Sequence, residues 1–126
     1  MIIDEHVTTY IHSLESDGPQ WLEEIRDQAE QMNVPVIRRE MEPFMKVLLS
    51  ISQPGTILEI GAGIGYSALF MSSILPDARI VTIENYEPRL QACRKYLAGR
   101  KHITLLEGDG VQILKNLTEP ADMIFL

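Results

Sequence analysis

Glu59, Gly61, Gly63 and Gly65 stand at alternate positions within "ILEIGAGIGYSA", the stretch from Ile57 to Ala68. Glycines at this density let the backbone come close to a bound molecule, and a carboxylate just ahead of them can balance a cationic group. Two more acidic residues follow. Glu84 closes "IVTIE", and Asp109 lies in "GDG", Gly108 to Gly110. An acidic side chain at the first of these places can accept hydrogen bonds from ribose hydroxyls. A dinucleotide fingerprint, G-x-G-x-x-G, requires glycine where Tyr66 stands. A phosphate-cradling loop requires Gly-Lys-Ser/Thr, and no lysine occurs between Lys46 and Lys95. What remains is E-x-G-x-G-x-G with two acidic residues downstream.

Strands and helices must place these groups. "TILEI", "ARIVTIE", "HITLLEG" and "ADMIFL" read as strands, separated by helices over Gly65–Leu75, Pro88–Leu97 and Gly110–Leu117. The strands are nearly continuous apolar runs alternating with helices, which predicts a parallel sheet covered on both faces. Open parallel sheets bind ligands at the carboxyl ends of their strands, where all three acidic positions fall. Ahead of Pro54-Gly55 the chain reads as three helices. Ile3, Val7, Tyr10, Ile11 and Leu14 mark the first; Trp21, Leu22, Ile25, Ala29 and Met32 the second. Met41, Phe44, Met45, Leu48 and Leu49 share one side of the third, with Pro43 near its first turn. "SDGP" and "NVPV" interrupt between them. The predicted division is a helical segment over 1–53 and a partial parallel-sheet unit over 54–126. "MIFL" reads as a central buried strand with nothing after it to cover it.

Composition narrows the class. The 126 residues suffice for one small domain, and 45% apolar with 23% charged content fits a soluble globular chain. A net charge of −7 disfavours a surface that coats nucleic acid. One cysteine, Cys93, excludes an internal disulfide framework and a zinc pattern. No apolar run has the length of a membrane span, and the start lacks the layout of a secretory signal, so no membrane partner and a cytoplasmic location are expected.

The E-x-G-x-G-x-G turn with Glu84 and Asp109 resembles the class I S-adenosylmethionine-dependent methyltransferases. "VPVI", an amphipathic helix and then "ILEIGAGIGYSALFM" are similar to the metal-dependent O-methyltransferases of the catechol and caffeoyl-CoA type. Within that family the run through "IVTIE" looks most like bacterial members that methylate 5-hydroxyuridine in tRNA. The resemblance implies a Rossmann-like fold with these strands in the order 3-2-1-4, and S-adenosylmethionine as cofactor. By position, Ile37 would contact the cofactor, Ser67 its amino-acid end and Glu84 the ribose. Asp109 and Gly110 would flank the adenine, while Glu59, Gly61, Gly63 and Gly65 shape the loop. It further implies Mg²⁺ for the whole enzyme, a homodimer, and tRNA or a small hydroxylated acceptor as partner. In that family an aspartate at the end of the fourth strand binds the metal. It would come immediately after Leu126, so the expectation is an N-terminal fragment with no catalytic or metal-binding residue of its own.

Each assignment has a plainer alternative. Asp109 is also a favoured N-cap. Glu59 can orient the loop without touching a ligand, and Tyr66 can be packing. Ser67 can satisfy donors at a helix start. His6, His12 and His102 lack metal-ligand spacing and read as surface or packing residues, and Cys93 reads as core. Arg38-Arg39, Arg94-Lys95 and Arg100-Lys101 are basic pairs that could touch RNA phosphate or simply be solvated. The rival functions are an O-methyltransferase of a catechol-like or acyl-CoA-linked phenol, a non-catalytic S-adenosylmethionine-binding fragment, and an NAD-dependent oxidoreductase.

Overall fold

Past Pro54-Gly55 the chain forms the alternating unit that its apolar runs predict. The computed structural model describes residues 4–14 and 18–126; Ile3 of the first helix and Ser16-Asp17 of the following break lie outside the described residues. The helices are α1 (Glu5–Leu14), α2 (Gln20–Gln31), α3 (Glu42–Ser52), α4 (Tyr66–Ile74), α5 (Glu87–Leu97) and α6 (Gly110–Asn116). The strands are β1 (Thr56–Ile60), β2 (Arg79–Glu84), β3 (Ile103–Glu107) and β4 (Met123–Phe125). All pairings are parallel and the order is β3-β2-β1-β4, as expected.

Alternation along the strands divides the sheet into two faces. Ile57, Ile80 and Ile103 are register partners on one face and join the main core with Leu22, Ile25 and Ala29 of α2, Met45 and Leu49 of α3, Leu69 and Phe70 of α4 and Cys93 of α5. Leu58, Val81 and Ile83 face the other side, where Ile113 and Leu117 pack. Burying each large aliphatic side chain contributes about 1.5–3 kcal/mol, so the first face supplies most of the stabilisation. The Asp122 carboxylate accepts from the amides of Gly55 and Thr56 at 2.9 Å each, fixing the start of β4 beside the start of β1.

α1 buries none of its residues, and Val7, Tyr10 and Leu14 are exposed. The α3 stripe splits, because Met45 and Leu49 are buried whereas Met41, Phe44 and Leu48 are exposed; only the arc facing α4 meets the core. One expectation needs correction: β4, expected to be buried, pairs in this chain with β1 alone, and Ile124 is exposed. Trp21 is also partly exposed, and the Arg100 guanidinium lies 5.1 Å from its ring centre.

Candidate cofactor site

The glycine turn leaves β1 at Ile60 and enters α4 at Tyr66. The Gly61 and Ala62 amides both donate to the Ile83 carbonyl at 2.9 Å, which ties the turn to the end of β2. All three glycines take positive φ. Gly65 is the most constrained: its φ is +92° and it precedes α4, and a Cβ there would lie 3.1 Å from the Leu97 side chain. A Cβ at Gly61 would meet nothing within 4 Å, so the turn is open on that side.

Glu59 lies completely buried at the end of β1, on the face otherwise occupied by Ile57. Its register partner Thr82 donates to Oε2 at 2.5 Å, and the Ser67 hydroxyl donates to Oε1. Both Glu59 oxygens are thus engaged within the chain, and so is the Ser67 proton that was expected to serve the cofactor. Burial pushes the Glu59 carboxyl above its ordinary value of 4.5, partly opposed by the two hydroxyl donors and reinforced by the charge of Glu84. A carboxyl raised by folding binds protons in the folded chain at pH values where the unfolded chain has lost them. Stability contributed by Glu59 therefore falls as pH rises from 4.5 through the folded value. Glu59→Gln keeps partners for Ser67 and Thr82 but removes this titration. Urea melts at pH 5 and pH 8 are expected to show a smaller acid-to-neutral loss in the variant than in the parent. An unchanged difference would refute the assignment. Glu87 and Glu107 contribute the opposite slope, because hydrogen bonds from Arg94 hold their carboxyls low, so the parent-minus-variant difference is the quantity to read.

Glu84 is buried at the end of β2. Its Oε2 accepts from the Gly63 amide at 2.9 Å, while Oε1 accepts from Asn85 at 2.9 Å and Tyr86 at 3.0 Å. It therefore pins the glycine turn as well as lying where a ribose is expected. Asp109 caps α6, its Oδ1 accepting from the Gln112 amide at 2.9 Å. The Gly108 amide donates to the Glu84 carbonyl at 2.9 Å, and a Cβ on Gly110 would lie 3.5 Å from Ile60. The Asp109-Gly110 segment thus abuts the ends of β1 and β2. Ile37 is half-buried, and its carbonyl accepts from Arg26 Nη1 at 3.0 Å. The fold accordingly gathers Glu59, Gly61, Gly63, Gly65, Ser67, Glu84, Asp109 and Gly110 at the carboxyl ends of β1, β2 and β3.

Two groups around the turn went unread in the sequence. The Cys93 thiol donates to the Gly63 carbonyl at 3.2 Å; burial pushes its pKa up to about 12, which keeps it a donor. Arg26, Glu42 and Tyr66 form a buried polar cluster behind the turn. The signal for it was present, since Arg26 occupies a position on the apolar stripe of Leu22, Ile25 and Ala29 where a cation needs a partner. Two residues of the basic pairs are committed to acids: Arg94 binds Glu87 and Glu107, and Arg39 binds Glu23. His12 pairs with Glu40 at 2.9 Å and His102 with Ser72 at 2.5 Å.

A parallel sheet in the order 3-2-1-4 with a glycine turn and acidic residues at its strand ends defines a Rossmann-like methyltransferase architecture. The chain belongs to the O-methyltransferase family, whose model matches residues 12–126. It is 34% identical over 92 residues to a catechol O-methyltransferase of Niastella koreensis, covering 66% of this chain and 41% of that protein. An S-adenosylhomocysteine-bound methyltransferase of Podospora anserina superposes with a TM-score of 0.82 at 29% identity, covering 95% of this chain and 55% of the other. The O-methyltransferase TomG of Streptomyces achromogenes, in complex with S-adenosylmethionine, gives 0.81 at 26% identity, covering 98% and 61%. The chain thus spans less than two thirds of each of these relatives. Among the described residues, no helix is long and apolar enough to cross a membrane.

Proposed function

We propose that the glycine turn binds S-adenosylmethionine and that the whole protein transfers its methyl group to a hydroxyl oxygen. The observation that carries this reading is the placement of Glu59, Glu84 and Asp109 at the carboxyl ends of β1, β2 and β3 beside one positive-φ glycine turn, to which Glu84 bonds directly. The residues fit the ligand. The open side of Gly61 leaves room for a close approach, and Glu84 and Asp109 offer acceptors to hydroxyl and amino groups. Glu59, enclosed by Ser67 and Thr82, fixes the turn from behind. When bound, the cofactor supplies an electrophilic methyl on a sulfonium. This chain's part is to bind and orient that group, which converts an encounter into a positioned reaction.

The resemblance also implies Mg²⁺, but no three His, Cys, Asp or Glu side chains gather as a metal site among the described residues. For the acceptor, a catechol-like hydroxyl is favoured by the Niastella relative. The sequence resemblance to tRNA methylases points instead to 5-hydroxyuridine, against which stand the net charge of −7 and the pairing of Arg39 and Arg94 with acids.

Calorimetric titration with S-adenosylhomocysteine tests the cofactor reading, with NADH in parallel as the oxidoreductase control. Heat of binding with the first ligand alone is expected, and binding of NADH alone would overturn it. Transfer of labelled methyl by the whole protein to catechol, but not to hydroxyuridine-bearing tRNA, is the expected acceptor result. The reverse preference would overturn the catechol assignment.

A further inference from the structure

We propose that Arg26, Glu42 and Tyr66 form a positioning unit that holds the Val34–Ile37 segment against the glycine turn. By the resemblance Ser67, the neighbour of Tyr66, would meet the cofactor's amino-acid end, so without touching the cofactor this unit sets affinity for that end; the inference rests on the cofactor reading above. Tyr66 follows Gly65 directly, so its ring is fixed to the end of the turn. Its hydroxyl donates to Glu42 Oε1 at 2.5 Å and accepts from Arg26 Nη2 at 2.7 Å, while Arg26 also pairs with Glu42. The guanidinium carbon lies 4.6 Å from the centre of the Tyr66 ring. One cluster thereby joins α2, α3 and the first residue of α4.

The same guanidinium reaches the cofactor segment. Arg26 Nη1 holds the Ile37 carbonyl at 3.0 Å, and the Val34 amide donates to the Ala29 carbonyl at 2.9 Å. Both ends of Val34–Ile37 are therefore anchored on α2. At the first anchor, Val34 Cγ1 would stand 3.2 Å from a Cβ on Gly63, so a shift of the segment is felt at the turn. Stability alone does not call for this arrangement. Buried ion pairs often gain little over apolar residues of like volume, and here the Arg26 Nε is buried with no partner. What the cluster supplies is a fixed relation between α2 and the start of α4.

Two ligands separate positioning from general support. S-Adenosylhomocysteine carries the amino-acid end, whereas 5′-methylthioadenosine keeps the ribose and adenine and lacks that end. Tyr66→Phe removes one hydroxyl and keeps the ring. At a temperature well below the variant's melting point, it is expected to weaken S-adenosylhomocysteine about tenfold and 5′-methylthioadenosine less than about twofold. Equal losses for both ligands, or no loss for either, would overturn the proposal. Should Tyr66→Phe fail to fold, Glu42→Gln, which offers Tyr66 an amide oxygen but no charge to Arg26, is expected to give the same unequal pattern on a smaller scale; equal losses there would overturn it too. If the parent chain binds neither ligand, the cofactor reading itself fails and takes this inference with it. If the parent binds both and the variants bind as the parent does, only the positioning role fails.

Discussion

Glu84→Ala is expected to weaken S-adenosylhomocysteine binding by at least about a hundredfold, the larger of two effects on the candidate site. Two contributions combine. The carboxylate is the proposed acceptor for the ribose hydroxyls, and each hydrogen bond to a charged group contributes about 1.5–3 kcal/mol. The carboxylate also accepts from the Gly63, Asn85 and Tyr86 amides, so its removal releases the turn that meets the rest of the ligand. Two lost hydrogen bonds alone correspond to about two to four decades in affinity. Glu84→Gln keeps one carbonyl oxygen and is expected to lose about tenfold. Calorimetry at a temperature where circular dichroism shows both variants folded is the measurement. A parental affinity in Glu84→Ala would remove Glu84 from the site.

Glu42→Ala is expected to cost about 3–5 kcal/mol of stability, because it strands the Arg26 guanidinium in the core. Arg26 is 4% exposed and Glu42 9%, so solvent cannot take over the lost charge. Tyr66 would lose its acceptor at the same time. Against a typical total of about 5–15 kcal/mol, that loss is a large fraction. Glu23→Ala, which breaks the half-exposed pair with Arg39, is expected to cost less than about 1 kcal/mol. The double variant Arg26→Met/Glu42→Leu is expected to recover much of the loss, since no unpaired charge is then buried. Urea midpoints at constant slope measure all three. A Glu42→Ala cost no greater than that of Glu23→Ala would show that the cluster is not buried as a unit.

The parallel alternation of strand and helix was legible because it is written locally, whereas the strand order 3-2-1-4 was implied by the family resemblance. Apolar runs of strand length alternate with helix-length segments, and Glu59, Glu84 and Asp109 each fall where a strand ends. Glycine at 61, 63 and 65 was legible for a similar reason: three consecutive alternate positions take φ values that other residues avoid. What the α1 and α3 stripes meet was not legible, because periodicity reports an amphipathic face and not what that face meets. Val7, Tyr10, Phe44 and Leu48 have helical spacing and are exposed nonetheless. The exposure of Ile124 in β4 was not legible either, since an apolar run does not state what covers it.

By itself the sequence determined the alternating architecture, the glycine turn and the three acidic positions, because each depends on residue type and on spacing within a few residues. Only the tertiary structure decided what those acids touch. Glu59 is closed off by Ser67 and Thr82, and Glu84 holds the Gly63, Asn85 and Tyr86 amides. It alone decided that Arg26, Glu42 and Tyr66 meet, since their partners lie far apart along the chain and a buried charge settles only where packing brings its counter-charge within hydrogen-bond reach.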